Sequence, residues 1–217
     1  MRNIKMLTSA VVCLVLTLFV GIAIRAADKK PDKVTDPALA RFIENTKDYL
    51  ELRQKIEKAL PTLKDKANAD EIRAHQQTMR LKLAAARNGA SQGSVFTPQA
   101  APVLKQIIKS EMQGPGGKAA RTTVLESSPK AVPCTINGAY PSTEPVSTIP
   151  PDLLMKLPEL PDNLEYRFVQ ENLILRDANA NMIVDCLPNA LPPAKDNSTK
   201  ALATENKAQK KEEKKAE

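Results

Sequence analysis

The chain has 217 residues and a net charge of +7, with three tyrosines, four phenylalanines, one histidine and no tryptophan. Its length suits one domain with a substantial core. Nucleic-acid-binding proteins concentrate basic charge and add aromatic or arginine contacts, so the scarcity of aromatic residues argues against that class. Because His75 is the only histidine, no histidine pair is available for zinc, and we expect a partly exposed packing role for it.

The N-terminus has the pattern of an export signal. Two basic residues precede the apolar or small run 7–24, and alanines follow at the end of that run. This order predicts a signal peptide over residues 1–27, cleaved after Ala26 or Ala27, and a periplasmic or secreted protein. The run also reaches the lower length limit of a membrane span. The alternative is therefore an inner-membrane anchor over residues 6–24, with the remainder facing the periplasm.

Most of the excess positive charge lies at the two ends. Without residues 1–27 the net charge falls from +7 to +4, because three basic residues and no acid are removed. Residues 195–217 contain seven lysines and five acids and no aromatic residue. Such a composition cannot bury enough apolar surface to fold, so residues 191–217 are predicted to be a disordered tail. Residues 28–35 form a polar linker, and a single domain is expected over 36–190.

The first half of this domain is predicted to be helical (residues 36–128). Asp36-Pro37 opens a helix with a capping residue and a proline at the first helical position, and Pro61 ends it. Its apolar face is interrupted in the middle by Arg53. Asn68 and Glu71 form a capping box that opens a second helix, which should pair with the first as a hairpin.

Residues 97–126 continue the helical pattern, and the character then changes. Thr97-Pro98 repeats the capping order before a third helix that ends at 114–117, and a short fourth helix follows. The segment 129–190 is proline-rich and predicted to be β: residues 132–139 read as an edge strand. The runs 164–169, 173–176 and 182–187 predict a three-stranded antiparallel meander. The fold class is therefore α+β, with a short helical turn expected at 152–157.

Two cysteines, Cys134 and Cys186, remain after the signal peptide. Outside the cytoplasm a disulfide between them would form and persist. The alternative is two buried free thiols that pack as small apolar groups. The spacing alone leaves both open.

One segment resembles the first half of a calcium-binding loop. Oxygen-bearing side chains alternate at Asp177, Asn179 and Asn181, with Asp185 further along. The pattern then fails, because Met182 stands where glycine is needed and proline where glutamate is needed. Asp and Asn also favour tight turns, and a turn is the preferred interpretation. We therefore predict no metal or other cofactor, with these four residues as weak candidates only.

Three arginines, Arg73, Arg80 and Arg87, recur every seven residues along the second helix. They predict either a basic stripe for an anionic envelope surface or acidic partner, or a plain solvated face. Residues 37–88 carry eleven bases and seven acids, whereas residues 130–190 carry four bases and eight acids. This asymmetry also allows self-association. A membrane contact is expected only if the N-terminal segment stays uncleaved.

Catalytic signatures are missing from the sequence. No serine lies in a Gly-x-Ser-x-Gly elbow, and the nearest pair of carboxylates for acid–base chemistry is Asp177 and Asp185. We therefore predict a non-enzymatic binding or structural module of the cell envelope, whose partner is an unidentified envelope protein or an anionic surface. A carboxylate-based hydrolase and a calcium-stabilised protein are the alternatives.

The C-terminal run Glu165-Tyr166-Arg167-Phe168-Val169, followed by 173–177 and by Ile183-Val184-Asp185, resembles a group of exported bacterial proteins of unknown function. The likeness extends back over residues 36–98. It implies export and a single domain, and it implies no activity and no site residues.

Overall fold

A computed structural model describes residues 36–130 and 132–193. The described residues form five helices followed by a three-stranded antiparallel sheet in the order β1–β2–β3. The predicted α+β class with a C-terminal meander is thus confirmed. The predicted signal peptide 1–27, the linker 28–35 and residues 194–217 of the predicted tail lie outside the described residues. The predicted start of that tail at residue 191 is wrong, because Leu191 is buried in the core and its N–H donates to the Glu171 carbonyl. The elements are α1 Pro37–Lys58, α2 Ala69–Ala86, α3 Ala100–Gln113, α4 Gly117–Ser127, α5 Pro151–Lys156, β1 Leu164–Val169, β2 Asn172–Asp177 and β3 Met182–Leu187.

The helix starts follow the capping signals of the sequence. The Asp36 carboxylate accepts a hydrogen bond from the Ala38 N–H at 2.9 Å. At the start of α2, the Asn68 side chain accepts from the Glu71 N–H at 2.9 Å, and the Glu71 carboxylate accepts from the Asn68 N–H at 2.8 Å. This reciprocal pair is the predicted capping box. The third helix begins at Ala100, slightly later than Thr97-Pro98 indicated.

The main core lies between the helices and one face of the sheet. Aromatic rings mark its centre: the Phe42 and Phe96 centroids are 5.5 Å apart, and those of Phe42 and Tyr166 are 6.4 Å apart. A smaller apolar cluster covers the other face of the sheet, where Val132 and Tyr140 pack on strand residues. The sheet is therefore buried on both faces, and all six residues of β3 are buried.

The prediction of a strand over residues 132–139 is wrong. Only Ala139 forms a bridge to the sheet, opposite Met182. Pro133 has no N–H to donate, and its carbonyl accepts from the Thr135 N–H in a tight turn. Only the end of the segment runs alongside β3, where the Asn137 N–H donates to the Ile183 carbonyl at 2.8 Å and the Tyr140 N–H donates to the Asn181 carbonyl at 3.0 Å.

A β-bulge interrupts the pairing of β2 with β3. Leu175 lies opposite Asp185 and Arg176 lies opposite Ile183, so Val184 is the extra residue. Val184 belongs to the core on the helical side, and Asp185 also contacts a loop on that side. The bulge thus turns the Asp185 carboxylate toward the helices, as such irregularities often re-aim a side chain.

Serine side chains cover the outer edge of β1. The Phe168 N–H donates to Ser147 Oγ at 2.7 Å, and the Gln170 N–H donates to Ser128 Oγ at 2.6 Å. The Ser128 hydroxyl in turn donates to the Phe168 carbonyl at 3.2 Å. Within residues 36–193 apart from 131, no helix combines the length and the apolarity that a membrane crossing requires.

Candidate functional site

The carboxylate of Asp177 is fully buried and joins the sheet to the first helix. Its Oδ2 accepts from the Tyr49 hydroxyl at 2.8 Å and from Arg53 Nε at 3.1 Å. Its Oδ1 accepts from the Ala180 N–H at 2.8 Å, which closes the β2–β3 turn. The turn predicted here is confirmed, and the same side chain also anchors α1.

Arg53 explains the interruption in the apolar face of α1. Its side chain is 2 % exposed, and it contacts Glu57 at 2.8 Å on the side where Glu57 is 45 % exposed. The guanidinium therefore runs from a buried carboxylate to a solvent-facing one. A buried cation is acceptable at this position because Asp177 meets it from β2.

Asp185 organises the loop between α2 and α3. Its Oδ1 accepts from the N–H groups of Gly93 at 2.9 Å and Cys186 at 2.8 Å. Its Oδ2 accepts from those of Val95 at 2.6 Å and Phe96 at 2.7 Å. All of these donors are backbone groups, so this carboxylate holds a loop in place.

The four weak candidates for metal binding face different partners. Asp177 contacts α1, Asp185 contacts the loop 93–96, and Asn179 is exposed. The Asn181 oxygen accepts from Arg176 at 2.7 Å, and its amide donates to the Tyr140 carbonyl at 2.7 Å. In the part of the chain that the structure describes, no three His, Cys, Asp or Glu side chains are grouped so that they could hold a metal ion.

Cys134 and Cys186 are joined by a disulfide, with their Cα atoms 5.9 Å apart. The bond ties the irregular segment 132–140 to β3. Cys186 belongs to the apolar cluster on the outer face of the sheet, and Cys134 packs against it. The alternative of two free thiols therefore does not hold in this structure.

The three arginines spaced along α2 and at its C-cap do not form one exposed stripe. Arg73 is exposed and pairs with Asp70, Arg80 is half-buried, and Arg87 turns inward. The prediction of a solvated face is wrong for Arg87, because its guanidinium donates to acceptors on β3 and on residue 137. His75, on the same helix, is partly exposed as expected.

Arg87 is held by neutral groups. Its guanidinium donates to the Val184 carbonyl at 3.0 Å, to Ser94 Oγ at 3.3 Å and to the side-chain oxygen of Asn137. Its Cζ lies 5.2 Å from the centroid of the Tyr49 ring, in a cation–π contact. Among the ion pairs of the described residues, none includes Arg87.

Tyr49 and Arg87 line an open cavity of about 350 Å³ between α1, the end of α2 and the loop that follows α2. We call it the Tyr49–Arg87 cleft. Its other walls are polar and apolar, and they include Asn45, Asp48, Leu52 and Val95. The Asn45 amide donates to the Ser94 carbonyl at 3.0 Å, so this wall is fixed to the loop.

Burial shapes the electrostatics of the cleft. It lowers the pKa of the Arg87 guanidinium below its usual value, while the nearby Tyr49 and Asp185 act in the opposite direction. Burial also raises the pKa of Tyr49 well above its usual value, and the carboxylate of Asp177 adds to that shift. Tyr49 therefore stays neutral and its hydroxyl donates a hydrogen bond to Asp177, whereas Arg87 provides the positive charge of the cleft.

Sequence reasoning did not identify Tyr49 or the inward orientation of Arg87. The sequence did contain one signal for a buried polar contact here: Arg53 interrupts the apolar face of α1 one turn after Tyr49. Comparison with family models, curated proteins and solved structures gives no match to this chain, so its function has to be argued from the site itself.

Proposed function

We propose that this chain is an exported, non-enzymatic binding protein of the cell envelope that holds a ligand in the Tyr49–Arg87 cleft. The N-terminal pattern supports a periplasmic or secreted location, because a basic start, an apolar run and small residues are typical of a signal peptide. The Cys134–Cys186 disulfide supports the same location, since such bonds persist in oxidising compartments.

The observation that carries the proposal is Arg87. A half-buried guanidinium lines an open cavity, and within the described residues it has no carboxylate partner. Buried charges in proteins are normally paired, and the nearby carboxylate of Asp185 favours the charged guanidinium but forms no ion pair with it, so the guanidinium is free to hold an anionic group from outside the chain. A cavity of this volume is in the range that accommodates small molecules, which begins at about 300 Å³.

The burial and contacts of the two candidate carboxylates favour binding over hydrolysis. Asp177 and Asp185 are fully buried, and their oxygens accept hydrogen bonds from the fold itself. A general acid or base has to reach a substrate or a water molecule. Neither carboxylate lines the cleft. The same contacts leave little reason to favour a calcium site at the 177–185 turn.

The first test expresses the complete gene in the organism that carries it, purifies the protein from the cell envelope and records its mass under native conditions. We expect a processed chain that retains a small molecule. Ala90→Trp fills the cleft, because Ala90 lines it, and should remove the bound mass. Ala85→Trp is the control, since Ala85 is exposed and outside the lining.

Three results would contradict the proposal. One is an unprocessed, full-length chain in the cytosol. Another is equal retention of the bound mass by both tryptophan variants. The third is hydrolytic activity that disappears in Asp185→Asn while the fold survives.

A further inference from the structure

A cation and an anion line the Tyr49–Arg87 cleft without neutralising each other. Arg87 contacts only neutral acceptors and the Tyr49 ring. Asp48, one residue before Tyr49 on α1, is exposed and forms no ion pair or hydrogen bond with any described residue. The charged atoms of the two side chains are therefore farther apart than an ion pair, yet both face one cavity.

The guanidinium keeps hydrogen-bonding capacity for a ligand. Of its five N–H groups, three are engaged by Val184, Ser94 and Asn137. The Nε–H and one Nη1 hydrogen have no acceptor among the described residues. The Tyr49 ring covers one face of the group, and Tyr49 is itself held by Asp177. Arg87 is thus fixed in position before any ligand arrives, which reduces the entropy lost on binding.

The remaining lining fits the rest of a small organic molecule. Leu52 and Ala90 are partly exposed and provide apolar surface in the same lining. A simple anion on Arg87 would lie in the same cavity as the like-charged Asp48, which disfavours its binding. A molecule with both charges satisfies the two side chains together, because opposite charges meet at each end.

We propose that the cleft binds a small zwitterion of the amino-acid type, with its carboxylate held by Arg87 and its ammonium group facing Asp48. The inference rests on the proposed function and names the ligand class of the same cleft. Arg87 selects the carboxylate because a guanidinium matches its planar geometry. Asp48 selects the amine, and the apolar wall contacts the side chain.

The competing explanation is that Arg87 only ties α2 to β3 and to the segment 132–140. Substitution of Arg87 cannot separate the two, because it also removes those ties. Substitution of Asp48 distinguishes the two explanations, since Asp48 is exposed and forms no hydrogen bond or ion pair with the described residues. The matched control is Glu51, an exposed acid on α1 that lies outside the cleft lining.

The experiment titrates the isotopically labelled protein, recovered from the envelope as in the first test, with each standard L-amino acid and follows backbone amide NMR shifts around residues 45–52 and 87–95. The tightest binder is then compared with its deaminated acid and its decarboxylated amine. We expect the amino acid to bind about tenfold or more tightly than the decarboxylated amine, which lacks the contact with Arg87. Its advantage over the deaminated acid should be about twofold to fivefold, because Asp48 is exposed. Asp48→Asn should remove the advantage over the deaminated acid, whereas Glu51→Gln should keep it.

Absence of shifts in the cleft with every amino acid would overturn the inference. So would equal binding of the amino acid and its deaminated form, or equal effects of the Asp48 and Glu51 variants. These failures leave the proposed function standing if the envelope-derived protein still carries a mass that Ala90→Trp removes. If the envelope-derived protein also carries no bound mass that Ala90→Trp removes, both the inference and the proposed function are refuted.

Discussion

Replacement of Asp177 by asparagine tests the link between α1 and the sheet. The substitution keeps the shape of the side chain but removes the negative charge that the Tyr49 hydroxyl and Arg53 Nε share at 2.8 and 3.1 Å. It also brings an NH₂ group toward groups that are themselves donors. Arg53 stays buried, with Glu57 as its remaining partner.

The expected cost follows from these contacts. Removal of one partner of a buried ion pair costs about 3–5 kcal/mol, because the other charge is left without compensation. Since Glu57 still contacts Arg53, we expect the lower end, about 3 kcal/mol. For a domain of this size the midpoint of thermal unfolding should fall by about 6–12 °C.

The assay is urea unfolding followed by circular dichroism at 222 nm, arranged as a double-mutant cycle with Arg53→Met. The double variant should lose less stability than the two single variants together, by about 1–3 kcal/mol, because no isolated charge remains in it. Glu57→Gln is the control and should cost no more than about 1 kcal/mol, since Glu57 is half exposed. Additive single effects, or a loss below about 1 kcal/mol for Asp177→Asn, would refute the assignment of Asp177 as the anchor of α1.

Further predictions concern the disulfide, a close backbone approach and the tyrosines. Reduction of the Cys134–Cys186 bond, whose ends are 52 residues apart, should lower the free energy of unfolding by about 4 kcal/mol in urea titrations; a loss under about 1 kcal/mol would contradict this. Gly117→Ala should cost about 1–3 kcal/mol in the same assay, because the added Cβ would overlap the Met112 carbonyl group, and an unchanged midpoint would count against it. Burial raises the pKa of all three tyrosines, and most strongly that of Tyr49 and Tyr166, so the absorbance rise at 295 nm should occur at higher pH in the folded protein than in the unfolded chain. Stability should be complete below pH 10 and fall as the pH rises above it, by about 1.4 kcal/mol per pH unit for a deeply buried tyrosine, since only the unfolded chain releases that proton there; the same titration curve for all three tyrosines in the folded and unfolded protein would contradict this.

Local chemistry explains which elements the sequence predicts well. The caps at Asp36 and Asn68 are hydrogen bonds within three residues, so their signals are complete in the sequence. The three strands are likewise marked by β-branched and aliphatic runs between turn residues. The segment 132–139 was wrongly predicted to be a strand, because residues that cover a sheet are apolar in the same pattern as residues that form one.

The candidate site depends on contacts between distant parts of the chain. Arg53 and Asp177 are separated by 124 residues, and no local pattern pairs them. The seven-residue spacing of Arg87 with other arginines suggested a solvated stripe, but spacing cannot show that β3 and residue 137 approach one end of the helix. Charges within apolar or periodic patterns indicate that a partner exists, and only the tertiary structure identifies it.

Coverage of both sheet edges limits how this protein can associate. The outer strand β1 meets the side chains of Ser128 and Ser147, and β3 meets the backbone of residues 137–140. The unpaired N–H and C=O groups of an uncovered edge can form hydrogen bonds with a strand of another chain, and such pairing can lead to amyloid growth. Because part of each edge is occupied in this way, fewer backbone groups are free to pair with a strand of another chain, and growth of fibrils through this sheet is hindered.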